Sequence, residues 1–158
     1  MAWNRDLILQ PGQCLLDDSV TAQLVLEEVP PHLNFAPMQN AVEALTRSAE
    51  RYHKALTLKQ NALGDSEAPN LAALNTKLIE SERKLTNDEG LPRRPWFKHL
   101  LYAPGIYSGY GVKTVPGVRE GIEQKRYAET EQEMERVGKA LQDEAALIDS
   151  AAQMLEGK

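Results

Sequence analysis

Cysteine is nearly absent from this chain: Cys14 is the only one among 158 residues. A single thiol excludes an internal disulfide framework and any multi-cysteine metal site. Cys14 reads as a small buried hydrophobe. Histidine is scarce as well. His32, His53 and His99 are the three present, and none has a second histidine three or four residues on. A hydrolytic zinc site needs about three converging nitrogen or oxygen ligands, so none is expected here. Long apolar runs are missing too. Nothing approaches the roughly 18 residues that would suggest a membrane span. The opening MAWNRDLILQPGQ has no apolar stretch of signal-peptide length. No membrane contact by this segment is expected, and localisation stays open.

The usual sequence marks of catalysis are missing in the same way. There is no GxSxG elbow for a serine nucleophile. Neither GxGxxG nor GxxxxGK[ST] occurs, and Gly109-Tyr110-Gly111 offers two glycines with no strand expected before them. No carboxylate pair stands out among 23 acidic residues. The chain therefore does not read as an enzyme by itself, and it calls for no cofactor or metal.

What is present is the composition of one globular domain. Hydrophobic residues make up 42% and charged residues 26%, within the ordinary range for soluble proteins. A chain of this length buries a core without staples. The net charge of −5 gives no reason to expect nucleic acid as a partner. The charge is uneven, however. Residues 91–126 carry seven Lys/Arg against two Glu, whereas 127–158 carry three against eight acids. The plainer reading is an internal match between a basic loop and acidic helices. The sharper one is a loop that attracts an anionic group or an acidic partner.

Helical periodicity dominates the pattern. After an irregular segment 1–13, a helix is expected over about 14–29, with N-cap chemistry at Asp17, Asp18 and Ser19 and a stop at Pro30-Pro31. A second helix is predicted over 36–63. Its stripe is Met38, Val42, Leu45, Ala49, Tyr52, Leu56 and Leu63, with Pro37 in the first turn. A third is predicted over 67–87, on Leu71, Leu74, Leu78 and Leu85. A short helix over 117–126 follows Pro116-Gly117, with Val118 and Ile122 facing inward. The last and longest helix is marked by Tyr127, Met134, Val137, Leu141, Ala145, Ile148, Ala152 and Leu155. No strand is predicted. Such stripes are buried together most simply in an all-α, up-down four-helix bundle, or along a seam between two chains.

Between the helices lies a long segment, about 88–116, that does not follow this pattern. Residues 88–119 hold five of the nine aromatics and four of the nine prolines. Aromatics argue against disorder, and an ordered loop this long is more often functional than idle. Pro92, Pro95, Trp96, His99, Tyr102, Pro104, Pro116 and Gly117 read as its structural residues.

The same residues carry a family resemblance. Gly90-Leu91-Pro92 with Arg94-Pro95, then His99-Leu100-Leu101-Tyr102-Ala103-Pro104, then Pro116-Gly117 resemble the C-terminal helical domain of the transferrin receptor and glutamate carboxypeptidase family. Upstream, VPPHLNFAPMQNA over 29–41 resembles the entry to that family's long helix. The resemblance spans about 29–156. It implies a four-helix bundle that mediates homodimerisation, and it implies a parent chain whose peptidase domain holds the zinc and contacts this domain. In the peptidase members, part of the long loop closes over the substrate pocket, where a Lys-Tyr pair helps hold a terminal acidic side chain. The matching positions here are Gly109 and Tyr110. The tyrosine is kept and the lysine is not, while Lys113 stands three residues later; the resemblance thus makes Tyr107, Tyr110 and Lys113 the loop's candidate contact residues, the tyrosines offering a flat apolar face and a hydroxyl and the lysine a charge for a carboxylate. A parent with another side-chain preference, or an inactive homologue, also fits. A stand-alone helical bundle used as a protein-binding scaffold is the alternative.

Overall fold

The computed structural model describes residues 29–63 and 71–157. The chain divides into two compact units, Met1–Pro31 and His32–Lys158. Of the first unit only 29–31 are described, and they are irregular. The helix expected over 14–29 thus lies outside the described residues, apart from Val29.

The second unit is mostly helical. Helix α1 runs Ala36–Leu63, as its stripe predicted. Asn34 starts it by accepting the Ala36 N–H at 3.1 Å, which satisfies one of the donors left open at a helix start. The expected third helix is present in two pieces, α2 Ala72–Leu78 and α3 Ser81–Lys84. Between them the Glu80 N–H bonds the Lys77 carbonyl, an i−3 bond that tightens the turn. Its expected start at 67 falls outside the described residues. Helix α4 spans Pro116–Glu123 and α5 spans Tyr127–Glu156. Gly157, at φ 76°, closes α5 in the left-handed conformation that glycine adopts without strain.

The segment between α3 and α4 corrects the expectation of no strands. β1 (Tyr102–Pro104) and β2 (Val112–Thr114) form an antiparallel hairpin, with Ala103 opposite Lys113. Because side chains alternate along a strand, Tyr102, Pro104, Val112 and Thr114 share one face. Ala103 and Lys113 point to the other. Two-residue periodicity over three-residue strands is too short a signal to separate from loop.

Helices α1 and α5 run in the same direction. Gly138 lies beside Pro37, and Arg51 reaches forward to Asp149 and Glu156. The 71–87 segment runs the opposite way, with Lys77 on Ser150, Ser81 on Glu144 and Asn87 on Arg136. The three thus alternate in direction.

The α1 stripe is rotated from the expected one. The buried positions are Ala41, Ser48 and Ala55, whereas Val42 is half exposed. Their spacing of seven matches Gly138, Ala145 and Ala152 on α5, also buried. Small residues on both sides let two helices approach closely. A Cβ on Gly138 would stand 3.2 Å from the Pro37 carbonyl oxygen. Met134, Val137 and Leu141 build the core at one end of α5, and Leu74, Ala151 and Leu155 at the other. On α4, Val118 is buried as predicted, but Ile122 is 39% exposed.

Candidate functional site

The 88–116 segment is ordered by a short ladder of its own. Asn87 N–H bonds Lys98 C=O, Leu91 N–H bonds Phe97 C=O, Leu100 N–H bonds Leu85 C=O, and Val115 N–H bonds Leu101 C=O. Leu91 and Leu100 sink fully into the core. Each such burial contributes about 1.5–3 kcal/mol. Gly90 makes the first turn possible at φ 69°. A Cβ there would sit 2.3 Å from the Pro95 carbonyl oxygen.

A buried ion pair lies at the centre. Arg94 Nη2 meets Glu120 Oε2 at 2.6 Å, with both side chains almost wholly removed from solvent. Arg94 Nη1 also donates to the Pro104 carbonyl. Glu120 Oε1 accepts the Ile106 N–H at 2.8 Å. The guanidinium lies 5.5 Å from the Phe97 ring centre. Around this pair the basic segment meets acidic helices. Arg93 forks onto Glu129 of α5, with N–O distances of 2.7–3.0 Å, and that carboxylate raises the Arg93 pKa. Lys113 pairs with Glu123 of α4, holding the Glu123 carboxyl below its usual range. The internal charge match read from the sequence is therefore present at these three cations.

The candidate contact residues divide. Tyr107 and Tyr110 stand 80% and 101% exposed at the hairpin tip. Lys113 does not join them at the tip: its ammonium goes to Glu123 and its stem runs close to Gly105. Among the residues read as structural, Pro116 and Gly117 are buried, and Pro92 and Pro104 are half-buried. Pro95 is exposed, and its carbonyl fills the space above Gly90. Trp96 is 68% exposed, with its ring 6.1 Å from that of Phe97. His99 stacks on Tyr102 at 3.8 Å. Its Nδ1 accepts the Leu101 N–H at 3.1 Å, and its Nε2 lies 3.1 Å from Glu82 Oε1. Tyr102 donates its hydroxyl to the same Glu82 oxygen.

Beside the pair is a depression of ≈ 340 Å³, lined by Arg93, Trp96, Phe97, Pro104 and Ile106 among others. With its cations already paired, its character is chiefly aromatic and apolar. Among the described residues no three His, Cys, Asp or Glu side chains converge as metal ligands. No helix among them is long and apolar enough to cross a membrane.

Sequence reasoning quoted Arg94 within a motif but missed its ion pair with Glu120. The two are 26 residues apart, and nothing in spacing links an arginine in a turn to a glutamate on a later helix. The small-residue seam of α1 was missed because alanine and serine carry little weight in an apolar stripe.

Known proteins align with this chain along much of its length. It is 30% identical over 132 residues to a probable glutamate carboxypeptidase of Arabidopsis thaliana, covering 84% of this chain and 18% of that protein. It is 28% identical over 120 residues to a probable glutamate carboxypeptidase of Arthroderma benhamiae, covering 76% of this chain and 16% of that one. An inactive zinc metalloprotease of Schizosaccharomyces pombe is 29% identical over 73 residues, covering 46% of this chain and 9% of that protein. The chain thus spans less than a fifth of the length of these curated relatives. The transferrin receptor-like dimerisation domain matches residues 33–149, which include the two long helices α1 and most of α5, the buried pair and the hairpin. With that match over most of its length, the chain belongs to the transferrin receptor-like dimerisation domain family.

Proposed function

We propose that this chain is the homodimerisation domain of a multidomain, zinc exopeptidase-like protein, and that its hairpin tip covers part of the parent's substrate pocket. The family match over 33–149 is the observation that carries the first half. The matched segments make up only 18% and 16% of these relatives, which leaves room for a peptidase domain outside this segment. In this reading zinc belongs to that domain. This domain contributes shape, a partner surface and a loop, and is not catalytic alone. A stand-alone bundle acting as a binding scaffold has no comparable observation in its favour.

The second half rests on the tip. Tyr107 and Tyr110 are fully displayed on a hairpin whose base is held by a buried ion pair. Two such aromatics left in solvent on an ordered scaffold suit a contact made in the full-length protein. The peptidase domain of the same parent is the contact partner. Replacing Tyr110 by Ala in the full-length protein should raise KM for its peptide substrate by about tenfold, the loss of one good contact. An unchanged KM would remove the tip from the pocket.

A further inference from the structure

The tip of the hairpin is closed on itself. The Gly105 N–H bonds the Gly111 carbonyl at 2.9 Å, Gly109 N–H bonds Gly105 C=O at 3.2 Å, and Tyr110 N–H bonds Ser108 C=O at 2.6 Å. A segment satisfied internally moves as one body, so its direction is set by what grips its base. Both grips come from α4. Glu120 accepts the Ile106 N–H and anchors Arg94, which in turn holds the Pro104 carbonyl on the outgoing strand. Glu123, three residues on and so on the same side of the helix, pairs with Lys113 on the returning strand. The mount itself has no slack. A Cβ on Gly117 would stand 2.4 Å from Glu133 Oε2, and one on Gly121 would stand 2.3 Å from Thr130 Oγ1. Helix α4 therefore lies hard against α5.

We infer that Glu120 and Glu123, with Arg94, are positioning residues that aim the Tyr107–Tyr110 tip from α4. Its functional meaning rests on the pocket reading above. A buried ion pair is weak evidence for stability, because desolvation offsets its attraction. This pair does something apolar residues could not. It satisfies the Pro104 carbonyl and the Ile106 amide at the base of the tip, and it fixes the direction in which they point.

The test uses the full chain first. Amide hydrogen exchange is followed in Glu120→Ala and in Glu123→Ala, the latter at a side chain 43% exposed and so safe for folding. Exchange at Ile106, whose N–H Glu120 accepts, should speed up about tenfold or more, as expected for loss of a charge-assisted bond, whereas Gly105, Gly109 and Tyr110, bonded within the tip, should keep more of their protection. Amides of α1 and α5 should stay at wild-type rates. Glu120→Gln, which keeps an acceptor for Ile106, should recover part of the protection. An unchanged tip in both variants, or equal acceleration throughout α5, would overturn the inference. In the full-length protein the same variants should raise KM and leave kcat alone. If Tyr110→Ala raises KM but the glutamate variants do not, the positioning role falls and the pocket reading stands. If Tyr110→Ala also leaves KM unchanged, the pocket reading falls, and the positioning role loses its functional half with it.

Discussion

At the scale of single residues, three positions show how local chemistry fixes the loop and its support. Gly90 combines a positive φ with a carbonyl 2.3 Å from where a Cβ would be. Gly90→Ala should cost at least about 2 kcal/mol, from backbone strain plus the clash. Urea unfolding checks this, and a loss under about 0.5 kcal/mol, the range of an ordinary surface change, would contradict it. Glu133 is buried on α5, with Oε2 unpartnered and Oε1 on Arg136. Burial raises its pKa, and Arg136 only partly opposes that. The folded-state pKa thus exceeds the unfolded one. The stability it contributes is full below the ordinary carboxylate range and is lost as pH rises through the raised value. Wild type should therefore lose Tm over that interval, whereas Glu133→Gln should lack that part of the slope. Parallel curves would contradict the assignment. Glu123 acts in the opposite direction. Lys113 lowers its pKa, so its small, screened contribution is present above the ordinary carboxylate range and is lost as pH falls through the lowered value. The motif residues Gly90 and Pro95 were legible in the sequence. The Arg94–Glu120 pair was not, because it depends on how the loop is folded back onto α4.

At the scale of elements, the helices were the legible part. The bounds of α1 follow from Pro37 and its periodicity, and the extent of α5 from its long stripe. The face of α1 was less legible. Large apolar residues such as Val42 drew the stripe, yet Ala41, Ser48 and Ala55 face the parallel α5. Close approach selects for small side chains, and small side chains are what a hydrophobic pattern discounts. The seam makes a definite prediction. Gly138→Leu would drive a side chain against the backbone at Pro37, which is 3.2 Å from a Cβ there. Overpacking of that kind costs about 1–3 kcal/mol. The expected result is a lower Tm and faster amide exchange at the start of α1. Unchanged stability would mean that α1 and α5 do not pack as closely as described. The hairpin escaped the sequence reading because three-residue strands separated by glycines show no countable alternation.

At the scale of the whole molecule, the account joins a helical scaffold to a displayed loop. The direction of the chain alternates through α1, the 71–87 segment and α5. A stripe alone does not distinguish a core from a seam between chains, and the match to a dimerisation family is what supports the association proposed above. Apolar side chains remain on the outside, among them Phe35, Val42, Leu58 and Ile79, and Phe35 and Val42 line one depression with Met38. The central claim is association with a second copy. Sedimentation equilibrium of the full chain, from low to high micromolar concentration, tests it most directly. The account predicts a species of twice the 17.6 kDa chain mass, with a monomer appearing only on dilution. A strict 17.6 kDa monomer at high micromolar concentration would contradict it.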